Sequence, residues 1–133
     1  MHLKEYFEQN RGIGVLSTAD SNGKVDAAIY ARPHLMEDGT LAFIMRDRLT
    51  HSNLQENPSA AYLFIEQGGG YKGVRLFLKK VKENKDEELI KQLTRRCLSP
   101  EEDEARGPKF LVYFEIEKVL DLIGGGAPAV EQS

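Results

Sequence analysis

The sequence predicts a mainly β fold with flanking helices (α+β): an antiparallel six-stranded barrel with helices at its ends. Three observations lead there. Short runs rich in Val, Ile, Leu, Phe and Tyr recur along the chain, several of them alternating apolar and polar positions. Turn-forming residues separate them. Four of the strand connections are too short to hold a crossover helix, which disfavours a parallel sheet.

Each element has its own signal. Leu3, Tyr6, Phe7 and Asn10 have the spacing of a short amphipathic helix, and Gly12 and Gly14 are expected to end it. Ile13, Val15, Leu16 and Thr18 form the first strand. Asp20-Ser21-Asn22-Gly23 is a turn in which Asn-Gly suits positive φ. Val25 to Leu35 forms the second strand, with Ile29 and Ala31 alternating with Tyr30 and Arg32. After Glu37-Asp38-Gly39, Thr40 to Arg46 forms the third, with Leu41, Phe43 and Met45 on one face. Thr50 to Asn57 changes to a helical period and stops at Pro58. Ala60 to Ile65, Val74 to Val81 and Lys109 to Ile116 complete the strands, the last with a pattern that can run on to Ile123. Asn84 followed by Glu87 reads as a capping box for a helix whose stripe is Leu89, Ile90, Leu93 and Cys97. Ser99-Pro100-Glu101-Glu102 repeats the start signal, and Gly107-Pro108 breaks that second helix.

With 133 residues, the chain makes one domain over residues 1–123, with a frayed tail over 124–133. Roughly a quarter of it is Leu, Ile, Val or Phe, enough for a real core. The net charge of -3 argues against a nucleic-acid partner. No apolar run approaches the ~20 residues of a membrane span, and Met1-His2-Leu3-Lys4-Glu5 is too polar for a signal peptide. A single Cys97 neither staples the fold nor forms a zinc cluster. The expectation is a reduced, cytoplasmic, soluble domain without a membrane partner.

The stretch richest in chemistry is Arg46-Asp47-Arg48-Leu49-Thr50-His51-Ser52-Asn53-Leu54. Two arginines precede a helix start, where free N–H groups carry partial positive charge. Thr50 or Ser52 adds a hydroxyl and Asn53 an amide, while arginine can fork onto phosphate oxygens. A plainer reading makes Thr50 an ordinary N-cap and pairs the arginines with Asp47 or Glu56. Elsewhere, His2, His34 and His51 have no metal-ligand spacing with one another or with Cys97, so no metal site is expected. No Gly-x-Ser-x-Gly elbow is present. Gly68-Gly69-Gly70 lacks the Lys-Ser/Thr of a phosphate loop and reads as a hairpin loop. The acids between Glu83 and Glu104 read as a solvated helix face.

Taken together, these segments resemble the flavin-binding split-barrel proteins related to pyridoxamine 5′-phosphate oxidase. Gly14 to Asp20 is similar to the family's first strand, and Gly23 to Arg32 to the strand lying along the flavin ring. Phe43-Ile44-Met45 is similar to the strand leading to the phosphate, and Arg48 to Pro58 to the phosphate-binding turn with its Asn-Leu-x-x-Asn-Pro helix. The likeness extends over about residues 3–82. It implies a split barrel that dimerises, with two flavin mononucleotide (FMN) sites at the homodimer interface. Ring contacts are implied around Tyr30, Ala31 and Arg32, largely through backbone. Phosphate contacts are implied from Arg48 and Thr50 with neighbours Ile44, Met45, Arg46, Leu49 and His51, supported by Asn53. Tyr71 is the side chain expected from the facing subunit. The implied activity is hydride or electron transfer with a small substrate, with Arg32 a candidate for stabilising negative charge on reduced flavin. A non-enzymatic flavin or haem carrier or sensor is the alternative, and haem or a deazaflavin the alternative cofactors. The chain departs from the family in two places. The usual Arg-Lys pair reads Leu49-Thr50, and Gly124-Gly125-Gly126-Ala127-Pro128 stands where the oxidase has Arg and His. Vitamin B6 oxidation is therefore not expected.

Overall fold

The computed structural model describes residues 2–94 and 99–124. The Cys97 end of the predicted helical stripe and the tail over 125–133 lie outside them. The described chain runs α1 (Leu3–Gln9), β1 (Gly12–Ala19), β2 (Val25–Ile29), β3 (His34–Leu35), β4 (Leu41–Arg46), α2 (Leu49–Glu56), β5 (Ser59–Glu66), β6 (Gly73–Asn84), α3 (Glu87–Leu93), α4 (Pro100–Ala105) and β7 (Lys109–Asp121). All seven strands form one antiparallel sheet in the order β2-β1-β5-β6-β7-β4-β3. The sheet curls around a core without closing, the arrangement of a split barrel.

Seven strands appear where six were expected, because Val25–Leu35 is divided. β2 and β3 follow one another in sequence yet lie at opposite edges of the sheet. Residues Tyr30 to Pro33 carry the chain across the split between them. Pro33 has no N–H to offer a ladder and restricts the residue before it, so pairing stops there.

Alternation fills the interior. Leu16 of β1, Leu41, Phe43 and Met45 of β4, Tyr62 and Phe64 of β5, and Val74, Leu76 and Leu78 of β6 all point inward with Val112 and Phe114 of β7. Leu3, Tyr6 and Phe7 of α1 join this cluster, with Phe7 edge-on to Phe64 at 5.3 Å between ring centres. Edge-to-face rings match the positive rim of one to the negative face of the other. A smaller cluster forms on the outer face of β4 and β7, where Ala42, Leu111 and Tyr113 pack under Ile90 of α3. Two register shifts between β6 and β7, at Phe77/Leu78 and Lys80/Lys82, add the local twist that bends a sheet over its core.

Two local expectations change. α3 is capped by Asp86, whose carboxylate accepts from the Leu89 N–H at 3.1 Å, while Asn84 ends β6 and accepts from the Asp86 N–H. Helix α1 ends at Asn10, and Gly12 and Gly14 lie inside β1 instead. Close approach explains Gly14: a Cβ there would stand 1.8 Å from the Tyr62 hydroxyl and 2.7 Å from the Tyr30 carbonyl. That hydroxyl donates to the carbonyls of Tyr30 (3.1 Å) and Ala31 (3.2 Å). Gly14→Ala should therefore cost about 1–3 kcal/mol in chemical denaturation, the usual scale for overpacking. Adding Tyr62→Phe should recover part of that loss by removing the clashing oxygen; strictly additive losses would contradict the arrangement.

Candidate functional site

The crossing segment is fixed through its main chain. The Tyr30 N–H donates to the Gly14 carbonyl at 2.9 Å, one residue beyond the end of β2. Tyr62 holds the next two carbonyls from inside. The Tyr30 ring packs edge-on against Phe43 at 5.8 Å. Burial pushes its phenol pKa up, a hydrogen bond with Thr50 draws it back in part, and Asp26 raises it further. Thr50 of the first turn of α2 thus lies beside the crossing.

Helix α2 is unusual in how many polar groups it buries. Thr50, His51 and Asn53 are all buried alongside Leu54. Asn53 donates to the Thr18 hydroxyl at 3.0 Å, which fastens α2 to β1. His51 stacks on Phe110 at 4.0 Å. Its Nδ1 faces Asp47 and its Nε2 faces Glu83, each at 2.9 Å. Buried polar groups persist where they are hydrogen-bonded, and among the described residues every buried side-chain nitrogen and oxygen has a partner. Three of the predicted phosphate ligands thus have structural partners: His51 clamps α2 to β6 and β7, Asn53 clamps it to β1, and Thr50 meets Tyr30.

The two arginines part company. Arg48 occupies the N-cap position without a side-chain cap. It is exposed, and its guanidinium makes no hydrogen bond among the described residues. Arg46 points to the outer face of β4, toward α4. Its Nη1 donates to the carbonyls of Asp103 (3.0 Å) and Gly107 (2.6 Å), and its Nη2 pairs with the Asp103 carboxylate at 2.6 Å. Lys109 reaches the same carboxylate oxygen at 2.7 Å. Hydrogen bonds from Lys109 and then Arg46 hold the Asp103 carboxyl below its usual range. Neither pairing expected for the arginines is present: Asp47 faces His51 and Glu56 accepts from Ser21.

Between the crossing, β4 and the α3–α4 region lies a cavity of about 240 Å³, lined by Tyr30, Ala31, Arg32, His34, Phe43, Ile44, Arg46, Leu93, Thr94, Arg106 and Lys109. It unites Tyr30, Ala31, Arg32, Ile44 and Arg46 of the predicted site. Met45 points into the core on the other face of β4, and Leu49, Thr50, His51 and Asn53 lie on α2 beside the cavity without lining it. Tyr71 does not line the cavity. It sits in the β5–β6 hairpin, 78% exposed with φ of 51°, beside the Gly12 end of β1, whereas Asn53 binds the Thr18 end. Arg32 also serves α1, donating through Nη1 to the Phe7 and Asn10 carbonyls at 2.6 and 3.1 Å.

The pyridoxamine 5′-phosphate oxidase family model matches residues 2–122. The chain belongs to this family. Among solved structures, it is similar to an FMN-binding protein of Syntrophomonas wolfei subsp. wolfei, with 18% identity over 92% of this chain and 84% of that one, at a TM-score of 0.73. An F420 reductase matches with 16% identity over 86% and 94%, TM-score 0.66. An FAD-binding protein of Mesorhizobium loti matches with 18% identity over 82% of each chain, TM-score 0.56. The search of curated proteins found no match. No described helix is long and apolar enough to cross a membrane.

Several residues of this family member's site escaped the sequence reading. Arg106 and Lys109 follow α4, more than fifty positions after Arg46, and no local pattern joins them. Glu83, expected on a solvated helix face, lies in β6 and accepts from Gln55 (2.8 Å), Lys80 and His51. Partial burial pushes the Glu83 carboxyl up, but those hydrogen bonds outweigh it and hold its pKa at about 2. A carboxylate held below its unfolded value stabilises the fold at neutral pH and loses that contribution as pH falls from near 4.5 toward 2. The melting temperature should therefore drop across this acid range by less in Glu83→Gln than in wild type; parallel acid profiles would show that the network contributes nothing.

Proposed function

We propose that the protein is an FMN-binding flavoprotein that works as a homodimer and transfers hydride or electrons between a reduced partner and a small substrate. The observation that carries this reading is the chemistry of the cavity at the crossing. Its lining combines Tyr30, Phe43, Ile44 and Leu93 with Arg32, Arg46, Arg106 and Lys109 and, among the described residues, contains no carboxylate. A flat, amphipathic, anionic cofactor fits that donor set. Family membership supports the reading, as do three structural neighbours whose names record FMN, F420 or FAD.

A bound flavin would supply the redox chemistry. The residues Tyr30, Ala31 and Arg32 would hold it along their main chain, with Ile44 and Leu93 excluding water and the surrounding cations favouring negative charge. The phosphate suits the start of α2, where the N–H groups of the first turn lack intrahelical partners by position and Arg48 stands exposed. Dimerisation is supported by the outer face of β2, β1 and β5. Val25 is 84% exposed, Ile29 73% and Ile13 59%. The register places Ile29, Val15 and Leu63 in one row, with Ile13 beside Ile65 in the next. Apolar residues gathered on one exposed sheet face favour an interface, and a partner lying there would supply the Tyr71 that the cavity lining of its own chain lacks.

Protein reconstituted with FMN should show flavin absorption bands, and a colourless product would overturn the reading. Arg48→Ala should weaken FMN by about 10- to 150-fold, the value of one charge-assisted contact, and leave riboflavin binding unchanged. Equal losses for both ligands would remove Arg48 from the phosphate. Sedimentation should give a dimer for wild type and a monomer for Ile29→Asp; a wild-type monomer would end the interface claim. Oxidation of NADH or NADPH separates an enzyme from a carrier, a second reading favoured by a cavity lining that, among the described residues, offers neither carboxylate nor thiol.

A further inference from the structure

A second cavity opens between α1, β3 and α3, and the flavoprotein reading makes no use of it. At about 620 Å³ it falls within the usual range for small-molecule sites. Among the described residues it shares only His34 and Leu93 with the cavity at the crossing. Phe7, Leu35, Met36, Leu89 and Tyr113 give it an apolar lining. Three carboxylates, Glu8, Glu37 and Asp38, line it against two lysines, Lys4 and Lys82.

Lys82 shows what the cavity attracts. The second register shift between β6 and β7 skips Val81 and sets Lys82 opposite Tyr113, the re-aiming of a side chain that a bulge allows. The Lys82 ammonium stands 4.6 Å from the centre of the Tyr113 ring and 3.9 Å from Asp38 Oδ2. Both separations are too long for a hydrogen bond. Charge and the electron-rich ring face hold the cation there, and neither attraction needs an N–H. The two attracting groups are fixed by other partners. The Tyr113 ring is buried, and its hydroxyl accepts from Asn84 at 3.3 Å. Asp38 Oδ1 accepts from the Thr40 N–H (3.0 Å) and hydroxyl (2.6 Å), while Oδ2 faces Lys82. The lysine is the mobile member of the three, 56% exposed on a flexible stem.

We propose that this cavity is a binding site for a quaternary ammonium carried on an apolar or aromatic body, and that Lys82 occupies the place the ligand's charge takes. The ligand's ammonium lies over Tyr113 and beside Asp38, and its body meets Met36, Leu89 and Leu93. A primary amine would leave N–H groups unsatisfied against the ring face, whereas a quaternary centre has none to satisfy. Lys82 turns to solvent as the ligand enters, giving up one exposed cation–π contact and one exposed charge pair.

Benzyltrimethylammonium is the probe, with benzyl alcohol as its neutral counterpart, titrated by calorimetry into the full-length protein. The cation should bind, and benzyl alcohol should bind about tenfold more weakly, the combined value of the ring and carboxylate contacts. Lys82→Met removes the internal competitor and keeps an apolar stem, so it should tighten the cation about two- to fivefold. Lys79→Met makes the same change in net charge from a β6 residue outside the lining and should leave affinity unchanged. In the Lys82→Met background, Asp38→Asn keeps the oxygen that Thr40 holds and should weaken the cation about two- to fivefold. Wild type gives an independent readout: nuclear Overhauser contacts should join the ligand's N-methyl protons to the Tyr113 ring. Absence of binding, equal affinity for benzyl alcohol, no gain in Lys82→Met, an equal gain in Lys79→Met, or N-methyl contacts to Tyr30 in place of Tyr113 would each overturn the proposal.

Discussion

The fold depends on one short stretch of main chain that has to leave one sheet edge and reach the other. Residues Tyr30 to Pro33 leave β2 with carbonyls to which no strand N–H donates, and main-chain acceptors outside a ladder need other donors. Tyr62 answers this from the core with a single hydroxyl shared between two of them. The hydroxyl fits only because residue 14 is glycine. A covalently simple detail, a missing methyl on β1, therefore fixes the path on which the candidate site is built. A segment held from inside leaves its outer face to the cavity, which Tyr30, Ala31 and Arg32 line.

Electrostatics then divide the site in two. The helix α2 spends its polar side chains on structure, with Thr50, His51 and Asn53 each joined to a neighbouring element, so its capacity for an anion rests on backbone amides and Arg48. The outer face of β4 works differently. Its arginine is buried against α4, where side-chain cations gather around a single acid. Partly buried charges are screened less than exposed ones, so the cations that line this cavity among the described residues keep their influence despite the protein's negative total.

Much of this was legible in the sequence, and the reasons are local. Alternation of Leu41, Phe43 and Met45 placed β4 and its inward face. Asp20 to Gly23 and Glu37 to Gly39 set their turns through residues suited to them, and Ser99 capped α4 as its spacing implied. The breaks in legibility share a cause. Val25 to Leu35 has the composition of one strand, and only the sheet order reveals that its middle bridges two edges. Gly12 and Gly14 read as helix stops because the neighbour that demands them, β5, arrives some fifty residues later. The Asp103 pairing with Arg46 and Lys109 joins positions with no shared pattern, so the sequence showed the arginine without its counter-ion. Long-range proximity is what a periodicity reading cannot supply.

Amide hydrogen exchange with and without FMN tests the central claim most directly. At a ligand concentration of ~100 times its dissociation constant, exchange through local opening should slow by about 100-fold. The account places that protection at Ala31 and Arg32 of the crossing and at Leu49 to His51 in the first turn of α2. Protection confined to the β5–β6 hairpin, or no change at the crossing while FMN is bound, would contradict it.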